Sequence, residues 1–260
     1  MQQLDTTPRC HIQLYLKDAK QIVIGSVQAM KIKLSLSNLL DLKSLIYSVV
    51  KPKLGSLFSP KGIIAFVSLI LEAFLSSITS ISYPDIKIVK YLGPSISDSH
   101  FYNGLLIPHR KMKECSAIKI ALFSCSIPQE LEALEGETVH FINHDTTLEK
   151  QFVEQTKKSL ELFLNKCPIK MICSQKTIHR EIISFLQLKG VQCIERLSLI
   201  YSKELADLSS TVLLPSLNVF ECGGLEKVAN VLIGDQSYLQ FEPEVDSHYG
   251  TIALCCQVIM

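Results

Sequence analysis

Residues that could do chemistry are few in this sequence, and they are scattered. His140 and His144 stand four residues apart with Asp145 beside them, a spacing that could offer a divalent ion two imidazoles and a carboxylate. A closed zinc site needs about four ligands, so at least one more donor would have to come from elsewhere, and a solvated loop is expected there. Cys173 and His179 could in principle be a nucleophile and its base. The cysteine, however, ends the apolar run IKMIC from Ile169, where burial suppresses the reactive thiolate. Gly223-Gly224 precedes a helix-like stretch and could open an anion-binding loop, although a glycine pair more often marks a simple turn. The patterns GxxxxGK[ST], GxGxxG, GxSxG and HExxH are all absent. The residues therefore predict no catalytic, metal or cofactor site in this chain, and a protein that is not an enzyme.

Charge narrows the function further. Lys and Arg number 26 against 25 Asp and Glu, for a net charge of +1. No basic stripe exists to hold nucleic acid or an anionic membrane surface. Nine cysteines, an odd number without a CxxC pair, lie mostly in apolar runs. Cys125, Cys173, Cys193, Cys255 and Cys256 read as small buried hydrophobes of a reducing, cytoplasmic compartment. The N-terminus MQQLDTTPRC carries no apolar signal core. Gly62 to Ile78 is apolar apart from Glu72 but falls short of the ~20 residues that a bilayer crossing takes. A buried helix is expected, without membrane insertion.

The elements that must position any site follow from periodicity. Leu34 to Ile78 reads as two apolar helices separated by the breakers Pro52, Gly55 and Pro60. A strand over Ile86 and Ile88 then runs into the turn Gly93-Pro94. Gly104 to Ile107 and Ile118 to Ser124 read as strands. A long helix follows, with Asp145, Thr146 or Thr147 as its cap and Leu148, Phe152, Leu160 and Leu164 as its apolar face. Ile169 to Cys173 is a strand, Ile178 to Leu188 a helix stopped by Gly190, Val191 to Ile194 a strand, and Ser202 to Leu208 a short helix. Strands around Tyr238 to Phe241 and Thr251 to Val258 close the chain. This alternation predicts an α/β fold, a parallel or mixed sheet covered by helices.

One stretch carries a resemblance. Ile86 to Met112, IKIVKYLGPSISDSHFYNGLLIPHRKM, resembles the passage from the intermediate to the apical domain in group II chaperonins, with Gly93, Ser95, Asp98, Ser99, Gly104, Lys111 and Met112 in the family's order. IKIALFSCSIP is similar to the apical strand before the helical protrusion. IKMICSQKTIHREIISFLQLKGVQCIERLS resembles the strand, helix and strand after it, and GDQSYLQFEP the hairpin that returns to the intermediate domain. LIPHRKM, SAIKIALFSCSI and SQKTIH look closest to the McKusick-Kaufman and Bardet-Biedl chaperonin-like branch.

The resemblance implies an organisation. Residues 1–92 would be a partial, helical intermediate domain, 93–217 a substrate-binding apical domain, and 218–260 the return strands of the intermediate domain. The equatorial ATPase domain, which holds ATP and Mg in full-length members, is expected to lie outside this chain. Function would be binding of unfolded or partly assembled proteins in a groove beside the helix Ile178 to Leu188 and the long helix before it. Ile178, Glu181, Ile182, Phe185 and Gln187 are the candidate client-binding residues. The branch further implies other chaperonin-like subunits and Bardet-Biedl complex proteins as partners, and a place at the centrosome or basal body within the cytoplasm. The competing expectation is a structural or interaction subunit without chaperone action.

Overall fold

The computed structural model describes residues 9–29, 38–55, 58–78, 83–128 and 146–256. The chain divides into two compact units, 1–49 and 50–260. In the first, helix α1 (Arg9–Ala29), which the sequence reading did not anticipate, keeps Tyr15, Leu16, Ile22 and Val23 exposed. Helix α2 (Leu39–Leu54) crosses the division and has no buried residue. It also runs past the expected breaker, with Pro52 inside its last turn. So close to the end, proline removes only one i→i−4 hydrogen bond, and the Gly55 amide still reaches the Lys51 carbonyl at 2.8 Å.

The second unit opens with α3 (Pro60–Ser77). Ser59 caps it by accepting from the Gly62 amide at 3.2 Å, with Pro60 in the first turn, where a missing N–H costs nothing. By length and composition α3 could cross a membrane, with a mean hydropathy of 1.5. Here it buries Ile63, Val67, Leu69, Leu71 and Ala73 instead, and its Leu69 and Ala73 pack against a three-stranded sheet. That sheet has the order β1 (Asp85–Leu92), β10 (Tyr249–Cys256), β2 (His100–Asn103), with β1 parallel and β2 antiparallel to the central strand.

The turn between β1 and β2 accounts for several residues of the resemblance. A Cβ at Gly93 would lie 2.5 Å from the Cys255 sulfur. Ser95 caps a 3-10 turn at Ile96–Asp98, and the Ser99 hydroxyl accepts the Cys255 amide at 2.9 Å. Gly104, at φ +86°, carries the chain out of this sheet; a Cβ there would lie 2.0 Å from the Phe241 carbonyl oxygen.

Beyond Gly104 lies the seven-stranded sheet. Its main path is β3 (Leu105–Pro108), β9 (Gln236–Pro243), β8 (Gly223–Ile233), β4 (Cys115–Phe123), β5 (Met171–Ser174), β6 (Gln192–Ile194), and β7 (Leu213–Leu214) pairs with the end of β4. The β4, β5, β6 and β7 pairings are parallel, whereas β8, β9 and β3 add antiparallel strands. The sheet is thus mixed, as the alternation of elements predicts. The expected helix after Gly223-Gly224 is instead the eleven-residue strand β8. The glycine pair serves close backbone approach, since a Cβ on Gly223 would lie 2.3 Å from the Ser209 carbonyl oxygen.

Both faces of the large sheet are covered, and period-two alternation along β4 shows how. Ile118, Ile120 and Leu122 point into a cluster shared with α6 (Leu199–Leu208). Ala121 and Phe123 point into the opposite one, filled by Val153, Leu160 and Phe163 of α4 (Thr146–Lys166) and by Ile182 and Leu186 of α5 (Arg180–Leu188). Segment 218–260 is shared between the sheets, with β8 and β9 in the large one and β10 in the small one.

Candidate binding groove

The C-terminal ends of β4 and β5 place the first turn of α5. Past β4, Ile127 pairs in parallel with Ile178: its amide reaches the Thr177 carbonyl at 3.0 Å, and the His179 amide reaches the Ile127 carbonyl at 2.7 Å. The Ile178 amide donates to the Glu195 carboxylate at 3.1 Å, and buried Ser174 Oγ donates to the Cys125 carbonyl at 2.7 Å. His179 then caps α5, its Nδ1 accepting from the Glu181 amide at 3.3 Å. The backbone entering α5 is thereby bonded on both sides before the helix begins.

Across from this turn runs α4. Its core stripe is Val153, Thr156, Leu160 and Phe163, at helical spacing. Phe152, one position off the stripe, stays 37% exposed. Between the two helices and Pro128 opens a groove of about 690 Å³, lined on its apolar side by Pro128, Phe152, Val153 and Ile178 and on its charged side by Arg180 and Glu181. Lys157 bridges the helices, donating to Glu154 at 2.6 Å and to Glu181 at 3.4 Å. The bond to Glu154 is the main cause that raises its pKa. An apolar floor with a rim of both charges can accept extended apolar segments of varied sequence without selecting one charge.

The sequence matches the TCP-1/cpn60 chaperonin family over residues 3–258. The chain belongs to that family. Among solved structures, the open-state monomer of a group II chaperonin from Methanococcoides burtonii shares the fold, with a TM-score of 0.62 at 16% sequence identity. That match covers 97% of this chain, and this chain spans 59% of the length of the other. No curated protein sequence matches.

Against this family frame, the expected client-binding residues divide. Ile178 and Glu181 line the groove. Ile182 is 0% exposed and belongs to the core beneath α5. Ile178 is itself nearly buried at 4%, so only its edge faces the groove. Phe185 is half-buried against the core, with the Lys189 ammonium 5.5 Å from its ring centre. Gln187 lies toward the far end of α5 and lines a separate cavity of about 380 Å³ with Lys113, Lys170 and Gln192. Sequence reasoning missed Pro128 and Arg180, and it placed Phe152 on the buried face of α4.

Burial pushes the Cys173 thiol far up, and His179 serves as a cap. Among the described residues no group of three or more His, Cys, Asp or Glu could hold a metal. His140, His144 and Asp145 lie outside the described residues.

Proposed function

We propose that this chain binds non-native or partly assembled proteins by laying apolar side chains into the groove between α4 and α5. The observation that carries the reading is the pairing of Phe152, exposed on α4, with the fixed first turn of α5 across an open apolar floor. Covering the exposed third of the Phe152 side chain removes apolar surface worth about 0.5–1 kcal/mol, which gives weak and promiscuous capture that builds up when several segments bind at once. On this reading, capture in the groove itself needs neither ATP nor Mg. The likeness of LIPHRKM and SQKTIH to the McKusick-Kaufman and Bardet-Biedl branch supports a narrower role. It would be assembly of the ciliary Bardet-Biedl complex with other chaperonin-like subunits, in the cytoplasm at the centrosome or basal body.

Light scattering of a chemically unfolded protein diluted into buffer tests the groove. The wild-type chain suppresses aggregation without nucleotide, Phe152→Leu retains that effect, and Phe152→Asp loses most of it while its circular dichroism spectrum at the assay temperature stays that of the folded wild type. Suppression by Phe152→Asp equal to wild type would refute the proposal.

A further inference from the structure

Cys167 follows the last residue of α4, and Cys222 immediately precedes β8. Two ring contacts hold these distant stretches of chain against each other. The Phe163 and Phe220 rings lie 5.5 Å apart between centroids, and the Lys166 ammonium sits 3.8 Å from the centre of the Phe220 ring. Cys167 stands one residue past Lys166 and Cys222 two past Phe220, so the two thiols flank this contact, near enough for one sulfur to influence the other. Both are partly exposed free thiols flanking the same core cluster.

Other described cysteines lack that combination of proximity and access. Cys125, Cys173 and Cys255 are buried. Cys193 has Cys173 as its sulfur neighbour, and that thiol is 1% exposed. Cys255 and Cys256 are consecutive in β10 and point to opposite faces of the sheet.

We propose that Cys167 and Cys222 are an oxidation site, a dithiol that a hydroperoxide converts to a disulfide tying the end of α4 to the loop before β8. The Cys167 thiolate attacks one peroxide oxygen, the O–O bond breaks, and Cys167 becomes a sulfenic acid as the departing oxygen takes up a proton and leaves as water. The Cys222 sulfur then attacks the Cys167 sulfur. The S–S bond forms, the S–O bond breaks, and the hydroxide leaves as a second water with the Cys222 proton. Two thiols have lost two electrons and the peroxide has gained them. The order of attack follows from the surroundings: burial first, and then the Cys167 sulfur, push the Cys222 thiol up against the opposing pull of Lys119. The raised Cys222 thiol is assigned the resolving role.

The test treats the reduced full chain with equimolar hydrogen peroxide, alkylates it while folded, and digests it without reductant. The expected result is a Cys167–Cys222 cross-linked peptide together with a melting temperature raised by roughly 5 °C or more. In Cys222→Ser, dimedone labels Cys167 and the melting temperature does not rise. Cys167→Ser gives neither the disulfide nor a dimedone adduct. Full alkylation of both cysteines in peroxide-treated wild type, or a cross-link that forms only in denatured chain, would overturn the proposal.

Discussion

At the scale of single residues, burial separates positions that one helical stripe had grouped. Ile182, completely buried beneath α5, should cost about 2–5 kcal/mol when cut to Ala. Glu181, exposed on the groove rim with a partly solvated ion pair to Lys157, should change stability by less than about 1 kcal/mol when replaced by Gln. Urea denaturation of the two variants would show that difference. Tyr249 gives a pH prediction. Burial first, and then its hydrogen bond to Asp207 at 3.1 Å, push its pKa up to about 12. The folded state thus holds the phenol proton over a range where the unfolded chain, at about 10, has lost it. Stability from this group is complete below about pH 10 and falls as pH rises from there toward 12. Tyr249→Phe should lose about 1 kcal/mol at neutral pH with the hydrogen bond, and its melting temperature should drop less steeply above pH 10 than that of wild type.

At the scale of elements, the crossing between the two sheets is fixed by Gly104. Its φ of +86° and the Phe241 carbonyl leave no room for a side chain, and Thr251 Oγ1 donates to the Gly104 carbonyl at 3.1 Å. Gly104→Ala should therefore cost roughly 2–4 kcal/mol through strain and displacement of β9, read as a lowered denaturation midpoint; a wild-type midpoint would mean the crossing is pliable. This glycine was legible in the sequence as part of an ordered motif, and so were β1, β4, β5, α5 and β6, because each has a clean apolar period or a turn residue at its end. The misreadings have local causes. Phe152 and Val153 are adjacent apolar residues, and sequence cannot say which one a core 3.6-residue stripe will select. Gly223-Gly224 looks alike at a helix start and at a close strand contact, and only the neighbouring Ser209 carbonyl decides between them. The groove itself combines Pro128, Phe152 and Arg180 from three separate segments, which no spacing along the chain could reveal.

At the scale of the whole molecule, the unit 50–260 joins its two sheets in one body. Leu106, Ile233, Tyr238 and Ala253 pack between them. Lys87 of β1 pairs with Glu204 of α6 and lies 4.5 Å from the centre of the Tyr201 ring. The groove thus rests on a scaffold that a single surface substitution leaves intact, which allows binding to be separated from folding. The measurement that tests the central claim most directly is site-specific photo-crosslinking to a chemically unfolded protein without nucleotide. It compares benzoylphenylalanine at position 152 with the same probe at position 64 on α3, where Ile64 is 56% exposed. The account predicts strong cross-links from 152 and few from 64; equal yields from the two positions, or none from 152, would contradict it.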